Sequence, residues 1–271
     1  MSDEQDREPG EEQSPAAPSR DRSDAAHDHL ERIEALLNPA AGLHRLERSL
    51  SAVMPAWRRQ TRGEHRAAVT AAIAVAIGLM LALPPRVENR PRFLIPGVAL
   101  LLLVGLVVAS PARLEHESKK LRALSLTLIA FMSISNAASG VRLVADLVRA
   151  QGIRNPADLL GTGAAIWLTN IVVFSLWYWE SDRGGPVQRA LGTSDRPDFL
   201  FPQMQEPEFA KPDWEPMYVD YLYLAFTNAT AFSPTDVMPL SRWAKMVMMV
   251  QSLISIVTVG LVIARAVNVL Q

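Results

Sequence analysis

Thr227, Asn228, Thr230 and Asp236 stand in an otherwise apolar part of the chain. They belong to the stretch YLAFTNATAFSPTDVMPLS, Tyr223 to Ser241, which leads into the last apolar run. Hydroxyl, amide and carboxylate oxygens are the hard donors that hold a small cation or a polar solute. A plainer role competes with that one. Thr227, Asn228 and Thr230 then lie on the last turns of a short helix. Ser233 to Asp236 forms a turn, with proline and Asp where turn chemistry favours them. Asp236 or Ser241 is then available to cap the next helix. A second polar set is a stripe of Ser135, Asn136 and Ser139, continued by Arg142 and Asp146. Asn170, with Thr169 beside it, sits on the following apolar run. Such residues glue membrane helices together by close approach and hydrogen bonds, or they line a polar path. An amide at mid-depth needs a partner, and Ser or Asn of the stripe is the expected one for Asn170.

Other chemistries are not expected. The chain has no cysteine, which removes disulfides, thiolate metal sites and Cys nucleophiles. Its five histidines, at 27, 29, 44, 65 and 116, all lie outside the long apolar runs. His27-x-His29 is the nearest approach to a metal motif. No Walker A loop, HExxH, GxSxG or GxGxxG occurs. We therefore expect no enzyme, no catalytic residue, no cofactor and no metal. A net charge of -1 gives no reason to expect nucleic acid as a partner.

These polar groups must be positioned by helices. Residues 1–27 are acidic and bear Pro and Ser, which reads as a disordered tail and not a signal peptide. Residues 28–62 carry apolar stripes at helical spacing, Leu30-Ile33-Leu36-Leu37 and Leu43-Leu46-Leu50-Val53, and read as interfacial helices. Trp57 with Arg58 and Arg59 suits the headgroup region. The transmembrane domain, 63–271, has apolar spans at about 67–84, 93–110, 122–148, 159–179 and 243–267. A sixth apolar segment, 216–232, is marginal in length and either spans or re-enters; spanning is the preferred expectation. The connection 180–215 is polar and proline-rich, without helical or strand period. It opens with WYWESDRGGP, which reads as a helix leaving the membrane through an aromatic belt. The predicted fold is thus an all-α polytopic transmembrane helix bundle. Arg and Lys concentrate before 67, between 110 and 122 and across 180–217, which predicts a cytoplasmic N-terminus and a cytoplasmic 180–215 loop.

The C-terminal third, 198–268, resembles the uncharacterised bacterial DUF1345-like family of integral membrane proteins. The resemblance rests on DFLFP, on PDWEPMYVDYLYLAFTNATAFSPTDV, and on the basic turn PLSRWAK before a final apolar run. It implies a bacterial plasma-membrane protein and brings no activity with it. A fainter similarity is to the pore region of two-helix potassium channels, through Asp236-Val237-Met238-Pro239. The filter positions, Ala231 to Thr235, hold no glycine and include Pro234. A ring of inward carbonyls leans on glycine's freedom at unusual dihedrals, so a potassium filter is not expected.

The expectation for function is a channel- or transporter-like conductor of a small ion or solute, embedded in the lipid bilayer and closed by a homo-oligomer. The alternative is a non-conducting scaffold that binds partners through its tail and its 180–215 loop.

Overall fold

Long apolar runs become helices where proline, glycine and charge fall only at their ends. The computed structural model describes residues 54–84, 93–109, 119–149, 155–194, 196–230 and 236–270, all in the unit Met54–Gln271. The tail, nearly all of the expected interfacial helices and Ala231 to Thr235 lie outside the described residues. The described chain is mostly helical. Its longer helices are α1 (Ala67–Ala82), α2 (Leu94–Ala109), α3 (Lys119–Val148) and α4 (Pro156–Ser181). They continue with the short α5 (Pro186–Ala190) and α6 (Pro202–Gln205), then α7 (Tyr218–Thr230) and α8 (Arg242–Leu270).

Three helical stretches, Lys119–Val148, Pro156–Gly184 and Arg242–Val267, are long and apolar enough to cross a membrane. The apolar α1 and α2 are shorter, at 16 residues each, or about 24 Å.

Local chemistry sets the helix ends. Asn155 caps α4, its side chain accepting from Ala157 N at 3.0 Å, with Pro156 in the first turn. Ser241, not Asp236, caps α8, its hydroxyl accepting from Ala244 N at 3.3 Å. α7 starts at Tyr218, two residues into the apolar segment 216–232, and Asp220 Oδ2 accepts from Met217 N at 2.8 Å.

α4 is the axis of the bundle and packs against α1, α3, α7 and α8. α3, α7 and α8 each run antiparallel to α4. Ser125 donates to Glu180 at 3.0 Å and Trp177 to Ser133 at 2.9 Å, joining α3 to α4. Arg66, just before α1, donates to Leu106 O at 2.8 Å near the end of α2. At Gly163 the approach of α8 is so close that an added Cβ would lie 2.7 Å from a Val262 methyl.

The 180–215 connection is more ordered than its composition predicts. It contains α5, α6, two 3-10 turns and the strand β1 (Phe199–Leu200). These elements are two to five residues long, too short to write a period into the sequence. β1 pairs antiparallel with β2 (Met238–Pro239), Phe199 opposite Pro239 and Leu200 opposite Met238. Leu240 N adds a bond to Asp198 O at 2.8 Å. The segments before and after α7 therefore meet at one end of the bundle, the end where α4 finishes.

Candidate functional site

α7 lies along the half of α4 nearest that end. Tyr218 meets Ser175 at 2.8 Å, hydroxyl to hydroxyl. One helix length away, Phe226 packs edge-on to Trp167 with centroids 6.1 Å apart. At 13 residues α7 is about 20 Å long, some two-thirds of a bilayer core of about 30 Å.

Asn228 is the pivot of this arrangement. Its Nδ2 donates to Gln251 Oε1 at 2.7 Å and Met248 O at 3.0 Å, both on α8, and approaches Tyr178 Oη at 3.3 Å. Its Oδ1 accepts from Ser252 Oγ at 3.0 Å. Gln251 closes the ring: Tyr178 donates to its Oε1 at 2.5 Å, and its Nε2 donates to Ala225 O at 2.8 Å. One amide on each of α7 and α8, with one phenol on α4, thus clamps three helices. Buried amides are tolerable because nearly every donor and acceptor is used.

The other predicted residues are spread around this clamp. Thr227 returns its hydroxyl to Tyr223 O and Leu224 O, both at 3.0 Å, and Thr230 bonds Thr227 O at 2.9 Å. Asp236 is exposed at the start of the β2 segment. Asn170 donates to Ser255 on α8 at 3.2 Å, not to the α3 stripe; α8, and not α3, lies on its face of α4. Ser139 bonds Ser135 O at 3.1 Å along α3. Asn136 is buried on α3. Neither the stripe nor Asn170 meets the Asn228 clamp directly among these bonds.

A groove of about 610 Å³ opens where α7 ends, between α4 and α8. Leu160, Gly163, Ala164 and Trp167 form one wall. Ala229 and Thr230 form its ceiling, and α8 from Ser255 to Ile263 forms the other wall.

A larger polar assembly was hidden in WYWESDRGGP. Asp182, fully buried, is reached at Oδ1 by Asp198 N at 2.9 Å and at Oδ2 by the Tyr221 hydroxyl at 2.5 Å. Asp198 in turn accepts from Arg183 N at 2.9 Å and from Trp243 Nε1 at 2.8 Å. Arg183 takes a left-handed backbone, φ 51°, which costs a non-glycine residue about 1–3 kcal/mol. Its guanidinium donates to Trp57 O, and Arg189 donates to Trp179 O and Asp182 O. Gly185 is needed because any Cβ there would sit 2.9 Å from Glu180 O. Trp57 is only 5 % exposed and packs into this knot, with the Arg183 guanidinium 5.4 Å from its ring. The stretch is therefore the polar knot at that end of the bundle and not simply a helix exit.

Glu64, on the belt before α1, ties three elements. Its Oε1 accepts from Tyr218 N and its Oε2 from Trp179 Nε1, both at 2.8 Å. Burial holds its carboxyl above the usual carboxylate range, against the lowering effect of those donors and of Arg189.

No protein-family model matches the chain, no curated protein matches it, and no solved structure matches it. The described residues include no group of three or more His, Cys, Asp or Glu that could hold a metal ion.

Proposed function

We propose that the protein is a multi-pass membrane protein with five spans, α1 to α4 and α8, and a re-entrant unit. That unit is α7 with the chain up to β2, and it handles a small ion or solute. The observation that carries this is the β1–β2 pairing, which returns the chain after α7 to the end it left. A 13-residue helix that goes in and comes back has its C-terminal end near mid-membrane. Backbone that is not a complete span is tolerated at that depth only when buried in protein or lining a cavity, and such broken helices carry the sites of transporters and channels. With the N-terminus cytoplasmic, re-entry puts the 180–215 loop and Asp236 inside and the C-terminus outside. This departs from the preferred expectation that 216–232 spans. A bacterial plasma membrane, a homo-oligomer and membership of the DUF1345-like family belong to the same proposal. The family assignment is carried by the motifs of 198–268 alone.

The test starts from the absence of cysteine. Single cysteines at Asp236, Thr193 and Gln271 are probed with an impermeant maleimide in vesicles of both orientations. Re-entry requires Asp236→Cys to label from the Thr193→Cys side and Gln271→Cys from the other. Labelling of Asp236→Cys with Gln271→Cys, opposite Thr193→Cys, means α7 spans. Flux of cations, anions and small solutes into proteoliposomes then tests handling, with Asp236→Asn and Thr230→Val as variants. No flux above empty liposomes sinks conduction.

The scaffold alternative has its own support. The Asn228 amide is committed to holding helices, and Phe209 on the 180–215 loop is 84 % exposed. A large aromatic left in water on a polar loop is a ready contact for a partner.

A further inference from the structure

The groove between α4 and α8 holds about 610 Å³, within the range of sites that take drug-sized molecules. Its wall carries a hydrogen-bond donor with nothing to give to. The Trp167 indole N–H is buried and has no partner among the described residues. The contrast with its neighbours is plain. Trp177, Trp179 and Trp243 each donate to a side-chain oxygen. The other buried polar atoms without a partner, on Trp57, Arg183 and Gln203, belong to the belt and the 180–215 connection, where bridging water is at hand. The ring nearest to Trp167 is Phe226, edge-on at 6.1 Å, and a ring face is a weak substitute for an oxygen. The indole is partly exposed, and its outer torsion is soft. A modest turn brings the N–H to an occupant of the groove. Ser255 offers a second donor: its oxygen accepts from Asn170 Nδ2 at 3.2 Å, which leaves its own O–H to give.

Depth limits what can answer these donors. Trp167 is the twelfth of 26 residues in α4 and Ser255 the fourteenth of 29 in α8. Both helices are long and apolar enough to cross a membrane, so the two donors sit near the middle of the hydrocarbon. A charged ligand is expensive there, and the groove lining contains no Lys, Arg, His, Asp or Glu to pair with one. Lipid acyl chains reach this depth but carry no acceptor. The ester carbonyls of lipids lie at the edge of the core, about 15 Å from its middle. What remains is a neutral, apolar molecule that carries its own carbonyl oxygens into the hydrocarbon. Its body fills the aliphatic groove, and its oxygens accept from the indole and the hydroxyl.

We propose that this groove is a binding site for a neutral lipophilic carbonyl compound, of the quinone or ketone type. The site goes beyond the reading of α7 as an ion- or solute-handling unit. It rests on α4 and α8 as spans and stands whichever way α7 is inserted.

The experiment uses the full chain in nanodiscs, with anthraquinone and anthracene as probes. Both are flat three-ring molecules, and the carbonyls are what distinguishes them. Binding is measured by equilibrium dialysis, and only the saturable part above empty nanodiscs is counted. Anthraquinone should bind about tenfold more tightly than anthracene. Trp167→Phe keeps a ring and removes the N–H, and should cut that preference to about twofold or less. Gly260→Leu should abolish binding of both, because a side chain there meets nothing within 4 Å and grows into the groove. Each variant is first shown folded by its thermal transition. Equal binding of the two probes to wild type means a slot that reads apolarity alone and overturns the proposal. So does the absence of saturable anthraquinone binding, or a preference that Trp167→Phe leaves intact. Anthraquinone-2-sulfonate bound as tightly as anthraquinone marks an anion site and also overturns it. Anthraquinone binding without ion flux keeps this site and sinks conduction; ion flux without anthraquinone binding does the reverse.

Discussion

Single side chains decide most at the knot beside α4. The buried Asp182 carboxylate accepts from a phenol and two backbone N–H groups and lies 4.0 Å from the Arg183 guanidinium. Asp182→Ala should cost about 3–5 kcal/mol, since it strands buried partners that have no other acceptor. Thermal unfolding in detergent reads this as a large drop in midpoint. Asn228→Ala breaks bonds to Gln251, Met248 and Ser252, and should cost about 1–3 kcal/mol. Thr227→Val, at a residue bonded only to its own helix, should be nearly neutral by the same measurement. Glu64 predicts a pH dependence. Its folded-state carboxyl titrates above the unfolded one, near 4.3. Its contribution is therefore fully present below that value and is lost as pH rises through the raised one. Wild type should lose stability relative to Glu64→Gln as pH rises from about 4 toward neutrality. A parallel pair of pH profiles would show that Glu64 is not the group responsible.

Among the elements, α4 and α8 are held by one close approach. Gly163→Ala puts a methyl 2.7 Å from Val262 and should cost about 1–3 kcal/mol. Val262→Ala should recover most of that in the double variant, because the two sites share one contact. Equal penalties with and without Val262→Ala would place the strain elsewhere. The long elements were legible in the sequence. α3, α4 and α8 are apolar over long stretches, Asn155-Pro156 marks the start of α4, and Pro84-Pro85 follows α1. The type of Asn228 was legible too, but its partner was not. Gln251 lies inside an apolar run, and a single amide has no period to betray which helix it faces. The knot escaped for a related reason. Asp182 and Asp198 are 16 residues apart in a connection without repeats, and only the folded path of α5 and β1 brings them together. The available signal was chemical: Glu180, Asp182 and Arg183 beside two glycines, directly after an apolar helix, are charges placed where a bundle end is crowded.

For the molecule as a whole, the described residues divide into two kinds of polar chemistry. At the end where α4 finishes, carboxylates, guanidiniums and indoles are knotted and buried. Midway along α4 polarity is limited to amides and hydroxyls, and ionisable residues return toward the other end with Arg142, Asp146, Asp158 and Arg265. Ionised groups are expensive in hydrocarbon and cheap at its edge, so this gradient is what a bilayer imposes.

The half-length of α7 also bears on how the protein is made. A helix of 13 residues is too short to be released into lipid by its own hydrophobicity. Its anchors on α8 come 20 to 24 residues later in the chain. At about 5–20 residues per second, ribosomes deliver them seconds after α7 has left the exit tunnel. Through that interval α7 leans on α4, on Glu64 and on the knot around Asp182 and Phe199. The Asn228–Gln251 bond is therefore among the last to close, and a chain truncated before Gln251 should leave α7 on the surface where a protease can cut it.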